Sequence, residues 1–228
     1  MSILITGASG QLAAGVIDEV LKTMPASEII VVTRTPECLT PLADIGVTVR
    51  QADFADPPTL SAALDGATRM LLISADVVGV RVGQHRAAIT AAESVGVESI
   101  VYTSIVNPVP ANPAVVVPDH IATERDLTDS GVGWVILRNS VYADMQAREM
   151  ENAAATGRLV TNQGNGSASY VTRADCARAA ASALIADFAT GRVYDITGPD
   201  AVSADRRAAI FTSITGAPIE VVEVDDET

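Results

Sequence analysis

Ile3-Leu4-Ile5-Thr6-Gly7-Ala8-Ser9-Gly10-Gln11-Leu12-Ala13 is the stretch that decides the fold. A short apolar strand runs into a glycine turn, and the turn opens a helix. A backbone that must reverse tightly and approach a diphosphate tolerates no side chain at the turn, which is where Gly7 and Gly10 stand. The uncommitted N–H groups and the positive end of the helix beyond them suit a bound phosphate. The spacing is G-x-x-G-x-x-A, and Ala13 is small enough for helix and strand to pack closely. A glycine-rich turn with no ligand is the bland alternative. The strand–helix units that follow favour the dinucleotide reading.

Outward from this turn, β-branched runs alternate with alanine-rich stretches of helical period. Strands are predicted at Ile3–Thr6, Glu28–Thr33, Thr48–Gln51, Arg69–Ser74, Ser99–Thr103 and Trp134–Leu137. Helices are predicted at Gln11–Met24, Pro36–Ile45, Pro57–Leu64, Gly79–Val95 and Asp119–Asp129. The strands are almost wholly apolar, the mark of a parallel sheet covered on both faces. After Asn139 the pattern loosens. Helices near Asp144–Ala155 and Arg173–Ile185 are expected there, with strand-like pieces at Val193–Thr197 and Ile219–Val224. The fold class is therefore α/β: a Rossmann-type, doubly wound parallel sheet with a small C-terminal α/β annex. The expected division is residues 1–138 for the nucleotide-binding sheet and 139–228 for a substrate-side annex whose segments partly return to that sheet.

The chain has 228 residues, 48% hydrophobic and 19% charged, which excludes disordered and fibrous classes. No apolar run reaches the roughly 18 residues of a membrane span. The formal charge of −13 disfavours nucleic acid and anionic membrane as partners. Cys38 and Cys176 fit no zinc or redox spacing, and a first strand near Ser2 leaves no room for a signal peptide. A cytoplasmic setting and a small-molecule partner are expected, with a homodimer left open.

The coenzyme type is read at the end of the second strand. An acidic residue there would bind a ribose 2′-hydroxyl, but this chain has Thr33-Arg34-Thr35. The arginine fork suits a 2′-phosphate and so NADPH; a surface arginine paired with Glu37 is the alternative. Asp53-Phe54, after the third strand, offers a carboxylate and an aromatic edge to the adenine. A helix-entry Asp and a core Phe would look the same.

With these residues in hand, the chain resembles the NmrA-like branch of the atypical short-chain dehydrogenase/reductases, near the bacterial NAD(P)H:quinone oxidoreductases of type 2. The resemblance is carried by Ile5-Thr6-Gly7-Ala8-Ser9-Gly10-Gln11-Leu12, Val49-Arg50-Gln51-Ala52-Asp53-Phe54, Leu71-Leu72-Ile73-Ser74, Gln84-His85-Arg86, Tyr102-Thr103-Ser104, Asp119-His120-Ile121-Ala122-Thr123-Glu124, Leu137-Arg138-Asn139 and Thr172-Arg173-Ala174-Asp175. It implies an NADPH domain, a small C-terminal domain with a cleft between them, and hydride transfer to quinones. Thr6, Gly7, Ser9, Gly10, Gln11 and Leu12 would meet the phosphates and Arg34 the 2′-phosphate. Ser74, with Ala75 beside it, and Ser104 would face the coenzyme crevice. Asn139 and Tyr142 would lie near the nicotinamide. The chain departs from the family at Ala75-Asp76, where serines are usual, and at Ser140-Val141-Tyr142, where Gly-Trp-Tyr is usual. The family pattern also continues beyond Thr228, with a part that would close the cleft.

The Tyr-x-x-x-Lys pair of better-known dehydrogenases is absent. Lys22 is the one lysine, and no tyrosine precedes it by four residues. A quinone needs less help, because it accepts hydride readily and its oxyanion needs only a few donors or water. His120 and Glu124 form an i, i+4 pair that could deliver a proton near neutral pH; a braced structural histidine is the alternative. Tyr142 could hydrogen-bond a substrate carbonyl, or simply line a cleft. His85, beside Arg86, reads as a solvated or interface residue. No cluster has metal spacing. The reading is an NADPH-dependent oxidoreductase for a quinone or similar conjugated carbonyl. The alternatives are a catalytically silent NADP(H)-sensing regulator and a biosynthetic reductase or isomerase.

Overall fold

The computed structural model describes residues 1–186 and 190–225. It divides into two units: Met1–Asn139 with Ala174–Ile196, and Ser140–Arg173 with Thr197–Thr228.

In the first unit β1 (Ile3–Ile5), α1 (Gln11–Leu21), β2 (Ile29–Thr33), α2 (Thr40–Asp44), β3 (Thr48–Gln51), α3 (Leu60–Leu64), β4 (Arg69–Leu72), α4 (Arg81–Ser94), β5 (Ser99–Ile105), α5 (Val117–Thr128) and β6 (Gly133–Asn139) alternate. The predicted helices at Pro36–Ile45 and Pro57–Leu64 are each half 3-10 helix, at Pro36–Leu39 and Pro57–Thr59. Each begins on proline, whose fixed φ suits a first helical turn and which has no N–H to leave unpaired.

The second unit holds α6 (Gln146–Thr156), β7 (Arg158–Thr161) and β8 (Ser167–Ala168). The chain then re-enters the first unit through α7 (Arg173–Ile185) and β9 (Arg192–Ile196). It ends with β10 (Val202–Ser203), α8 (Ala204–Thr215) and β11 (Glu220–Glu223). β7, β8, β10 and α8 were not expected from the sequence. The strands are two to four residues long, below the length at which alternation is legible, and they pair only with each other: β10 with β8, and β11 with β7. Ala153, Leu159, Ala208 and Phe211 form a small core of their own.

The main sheet has seven strands in the order β3-β2-β1-β4-β5-β6-β9, all pairs parallel. Alternation along each strand builds two cores. Ile3, Ile5, Val31, Leu71, Val101 and Val135 face α1 and α7. Leu4, Val32, Met70, Leu72, Ile100 and Ile136 face α3, α4 and α5. Burial on both faces keeps the middles of β1, β2, β4, β5 and β6 apolar, and polar residues gather at the strand ends and on the edge strands β3 and β9. β1 sits beside both β2 and β4, so the connections leave it in opposite directions, and a crevice opens at the carboxyl ends of the strands. Among the described residues no helix is long and apolar enough to cross a membrane.

Candidate functional site

The crevice has a volume of about 230 Å³ and begins at the glycine turn. Gly7 has φ +62°, a conformation that a side chain strains. A Cβ on Gly10 would lie 3.2 Å from the Gly7 carbonyl oxygen. Gly10 caps α1 with extended backbone and no side-chain cap, so the N–H groups of the first turn are left for a ligand. Ser9 presents its hydroxyl at the same turn, where the Thr33 hydroxyl donates to it at 3.3 Å. This open, positive helix end without a capping side chain fits a diphosphate.

Three strand ends complete the crevice. From β2 come Val32, Thr33 and the exposed Arg34, whose guanidinium makes no ion pair among the described residues. Glu37, the partner in the alternative reading, is not bonded to it among the described residues, and the Arg34 carbonyl accepts the Gln51 amide at 3.2 Å. After β3 come Ala52, Asp53 and Phe54. One carboxylate oxygen of Asp53 accepts the Ala55 N–H at 2.9 Å, which turns the chain and leaves Phe54 at the rim. After β4 come Ile73, Ser74, Ala75, Asp76 and Val77, with Gln84 from α4.

Of the residues singled out from sequence, the crevice thus brings together Gly7, Ser9, Gly10, Arg34, Asp53, Phe54, Ser74 and Ala75. Gln11 and Leu12 stand in the first turn of α1, whose N–H groups receive no side-chain cap. Thr6 is fully buried; its hydroxyl donates to the Leu71 carbonyl at 3.0 Å and accepts the Ile73 N–H at 3.0 Å. Its polar groups join β1 to β4 and are not offered to a phosphate. Ser104 and Asn139 are buried at the ends of β5 and β6 and are not among the lining residues of the crevice. Tyr142 belongs to the second unit, where the Arg173 guanidinium lies 5.1 Å from its ring centre. Sequence reasoning noted Asp76 only as a departure from the family pattern, and it missed Val77 and Gln84 along with the apolar lining residues Val32, Ala52 and Ile73. Asp76 and Val77 could have been found as direct neighbours of Ser74 and Ala75; Gln84 reaches the crevice only because α4 packs as it does.

The predicted pairing of His120 with Glu124 is corrected. Glu124 accepts the Ser104 hydroxyl at 2.6 Å and both arms of Arg138, at 3.0 and 2.7 Å. His120 is 6% exposed and turns to other partners: Nδ1 lies 2.8 Å from the Tyr102 hydroxyl and Nε2 3.4 Å from Arg81 Nη1. A guanidinium only donates, so Nε2 must accept and the ring must be neutral. Burial, then the Arg81 charge, lower the His120 pKa from 6.5 to about 4 against the opposing pull of Glu124 and Asp119. A neutral, buried imidazole is not the acid near neutral pH that the sequence suggested. His85 is likewise not a surface residue: it is fully buried against Tyr102.

A site of this architecture belongs to a dinucleotide-binding fold, and the comparisons with known proteins agree. The profile of the NAD(P)H-binding family matches residues 7–187, and the chain belongs to that family. It is 39% identical over 217 residues to Quinone oxidoreductase 2 of Escherichia coli, covering 95% of this chain and 76% of that protein. It is 27% identical over 227 residues to an NmrA-like family domain-containing oxidoreductase of Aspergillus flavus, covering 97% and 74%. The crystal structure of an NADPH-dependent quinone oxidoreductase from Escherichia coli, complexed with NADPH, superposes with TM-score 0.94 at 38% identity, covering 99% of this chain and 79% of that one.

Proposed function

We propose that this chain is an NADPH-dependent reductase that passes a hydride to a quinone or a similar conjugated carbonyl. The observation that carries the reading is the uncapped N-terminus of α1 behind Gly7 and Gly10, with the Arg34 guanidinium, which makes no ion pair among the described residues, in the same crevice. Similarity to Quinone oxidoreductase 2 supports the acceptor class.

When bound, the coenzyme supplies the hydride. The N–H groups of the first turn and the Ser9 hydroxyl would hold the diphosphate, Arg34 the 2′-phosphate, and Asp53 with Phe54 the adenosine end. The oxyanion left on a reduced quinone is basic enough, like a tyrosinate, to take a proton from solvent at neutral pH, so the product needs no protein acid while His120 stays neutral and buried.

The test is a fluorescence titration with NADPH and NADH, followed by NADPH consumption with a panel of quinones. The expected result is tighter binding of NADPH and quinone-dependent turnover. Preference for NADH removes the role given to Arg34. Tight binding with no turnover on any quinone replaces the reductase with a coenzyme sensor.

A further inference from the structure

β4 stops at Leu72, yet the chain beyond it is not loose. Its polar backbone is caught, group by group, by side chains. The Ile73 N–H donates to Thr6 Oγ1 and the Ser74 N–H to Thr103 Oγ1, both at 3.0 Å. The Ala75 N–H donates to His85 Nε2 at 2.9 Å, and the Gly79 N–H to Asp119 Oδ2 at 2.8 Å. Arg81 donates through Nη2 to the Asp76 carbonyl at 3.0 Å and through Nη1 to the Ser74 hydroxyl at 3.2 Å. It is also ion-paired with Asp119 at 3.5 Å.

These anchors are buried: His85 is 0%, Arg81 5% and Asp119 8% exposed. A buried ion pair and a buried imidazole cost more to desolvate than apolar side chains of the same size. What they hold is the Ser74 hydroxyl, the Ala75 N–H and the Asp76 carbonyl in one wall of the crevice, and the Gly79 N–H just beyond it; the Val77 carbonyl accepts the Arg81 backbone N–H at 3.1 Å, and none of the three anchors lines the crevice itself. We propose that His85, Arg81 and Asp119 are positioning residues of the coenzyme site, setting the Ser74–Val77 wall that α4 and α5 support from behind. This rests on the coenzyme reading above. His85 is oriented for the task. The Thr123 hydroxyl donates to the Asp119 carbonyl at 2.9 Å, so its oxygen accepts from His85 Nδ1 at 2.9 Å. Nε2 is thereby left bare to receive the Ala75 N–H.

The test compares His85→Leu, His85→Gln, Thr123→Val and, as a control, Ile89→Ala, which empties core space on α4 without touching an anchor. Two readouts are taken: NADPH affinity by fluorescence, and amide hydrogen exchange of the peptide spanning residues 73–80. His85→Leu is expected to weaken NADPH by about tenfold, the worth of one positioned hydrogen bond, and to speed exchange in that peptide. His85→Gln, whose amide oxygen can accept the Ala75 N–H, is expected to restore both. Ile89→Ala should lower Tm yet keep wild-type affinity. If His85→Leu does not fold, Thr123→Val decides, because it frees the His85 tautomer and should move both readouts in the same direction. Wild-type affinity and exchange in the His85 and Thr123 variants overturn the inference alone. A wild-type protein that does not bind NADPH overturns the coenzyme reading, and the positioning role with it.

Discussion

Arg34 and His120 show how far a single residue can be read. Arg34 is singled out by its place after the second strand, and there it lines the crevice; a strand end alone does not ensure this, since Ser104 and Asn139 at the ends of β5 and β6 are not among the lining residues. A charge-assisted fork to a phosphate contributes about 1.5–3 kcal/mol. Arg34→Ala is therefore expected to raise the Kd for NADPH by roughly 10- to 100-fold. The Kd for NADH should hardly move. Equal losses for both coenzymes would place Arg34 on the common part of the dinucleotide instead. His120 was chosen by its i, i+4 spacing to Glu124, and that spacing misleads. It says which residues share a helix face, but not that β6 brings Arg138 to Glu124, or that Arg81 on α4 turns a donor toward His120.

At the scale of elements, the glycine turn depends on how α1 is seated. Gly15 is the contact point with α7: a Cβ there would lie 3.0 Å from the Ala177 Cβ. Gly15→Val adds volume where two helices already touch, at a cost of about 1–3 kcal/mol. The expected outcome in a thermal melt is a drop of about 2–4 °C for each kcal/mol lost. A Tm at or above the wild-type value would mean that α7 moves aside freely. The companion residue was out of reach from the sequence. Ala177 lies 162 positions away, and only the return of Arg173–Ile185 to the first unit brings it against α1. For β9 the sequence predicts a strand near Val193–Thr197 and a return of annex segments to the sheet, but not the pairing beside β6, which forms although Ser140–Arg173 intervenes.

For the whole molecule, the two buried histidines tie stability to pH. Both pKa values are lowered from 6.5 to about 4: His85 by burial, then by His120 and Arg81, and His120 by burial, then by Arg81. Asp119 opposes the shift at both rings and Glu124 at His120. Between pH 6.5 and 4 the unfolded chain binds protons that the folded chain refuses, so stability must fall as the pH falls through that window. Two such groups should cost on the order of 2 kcal/mol each between pH 7 and 5, read as a lower urea midpoint. Equal midpoints at the two pH values would show that the rings are hydrated. The sequence by itself determined the parallel sheet, its strand and helix order, the glycine turn and the coenzyme side of the crevice. Each of these is written in neighbouring residues: apolar runs, punctuating prolines and glycines, and what stands at a strand's end. Only the tertiary structure decided which buried polar groups meet, which strand pairs exist in the second unit, and that His85, Arg81 and Asp119 stand behind the Ser74–Val77 wall. Such contacts join residues distant in sequence, and local pattern carries no record of which distant partner a side chain will find.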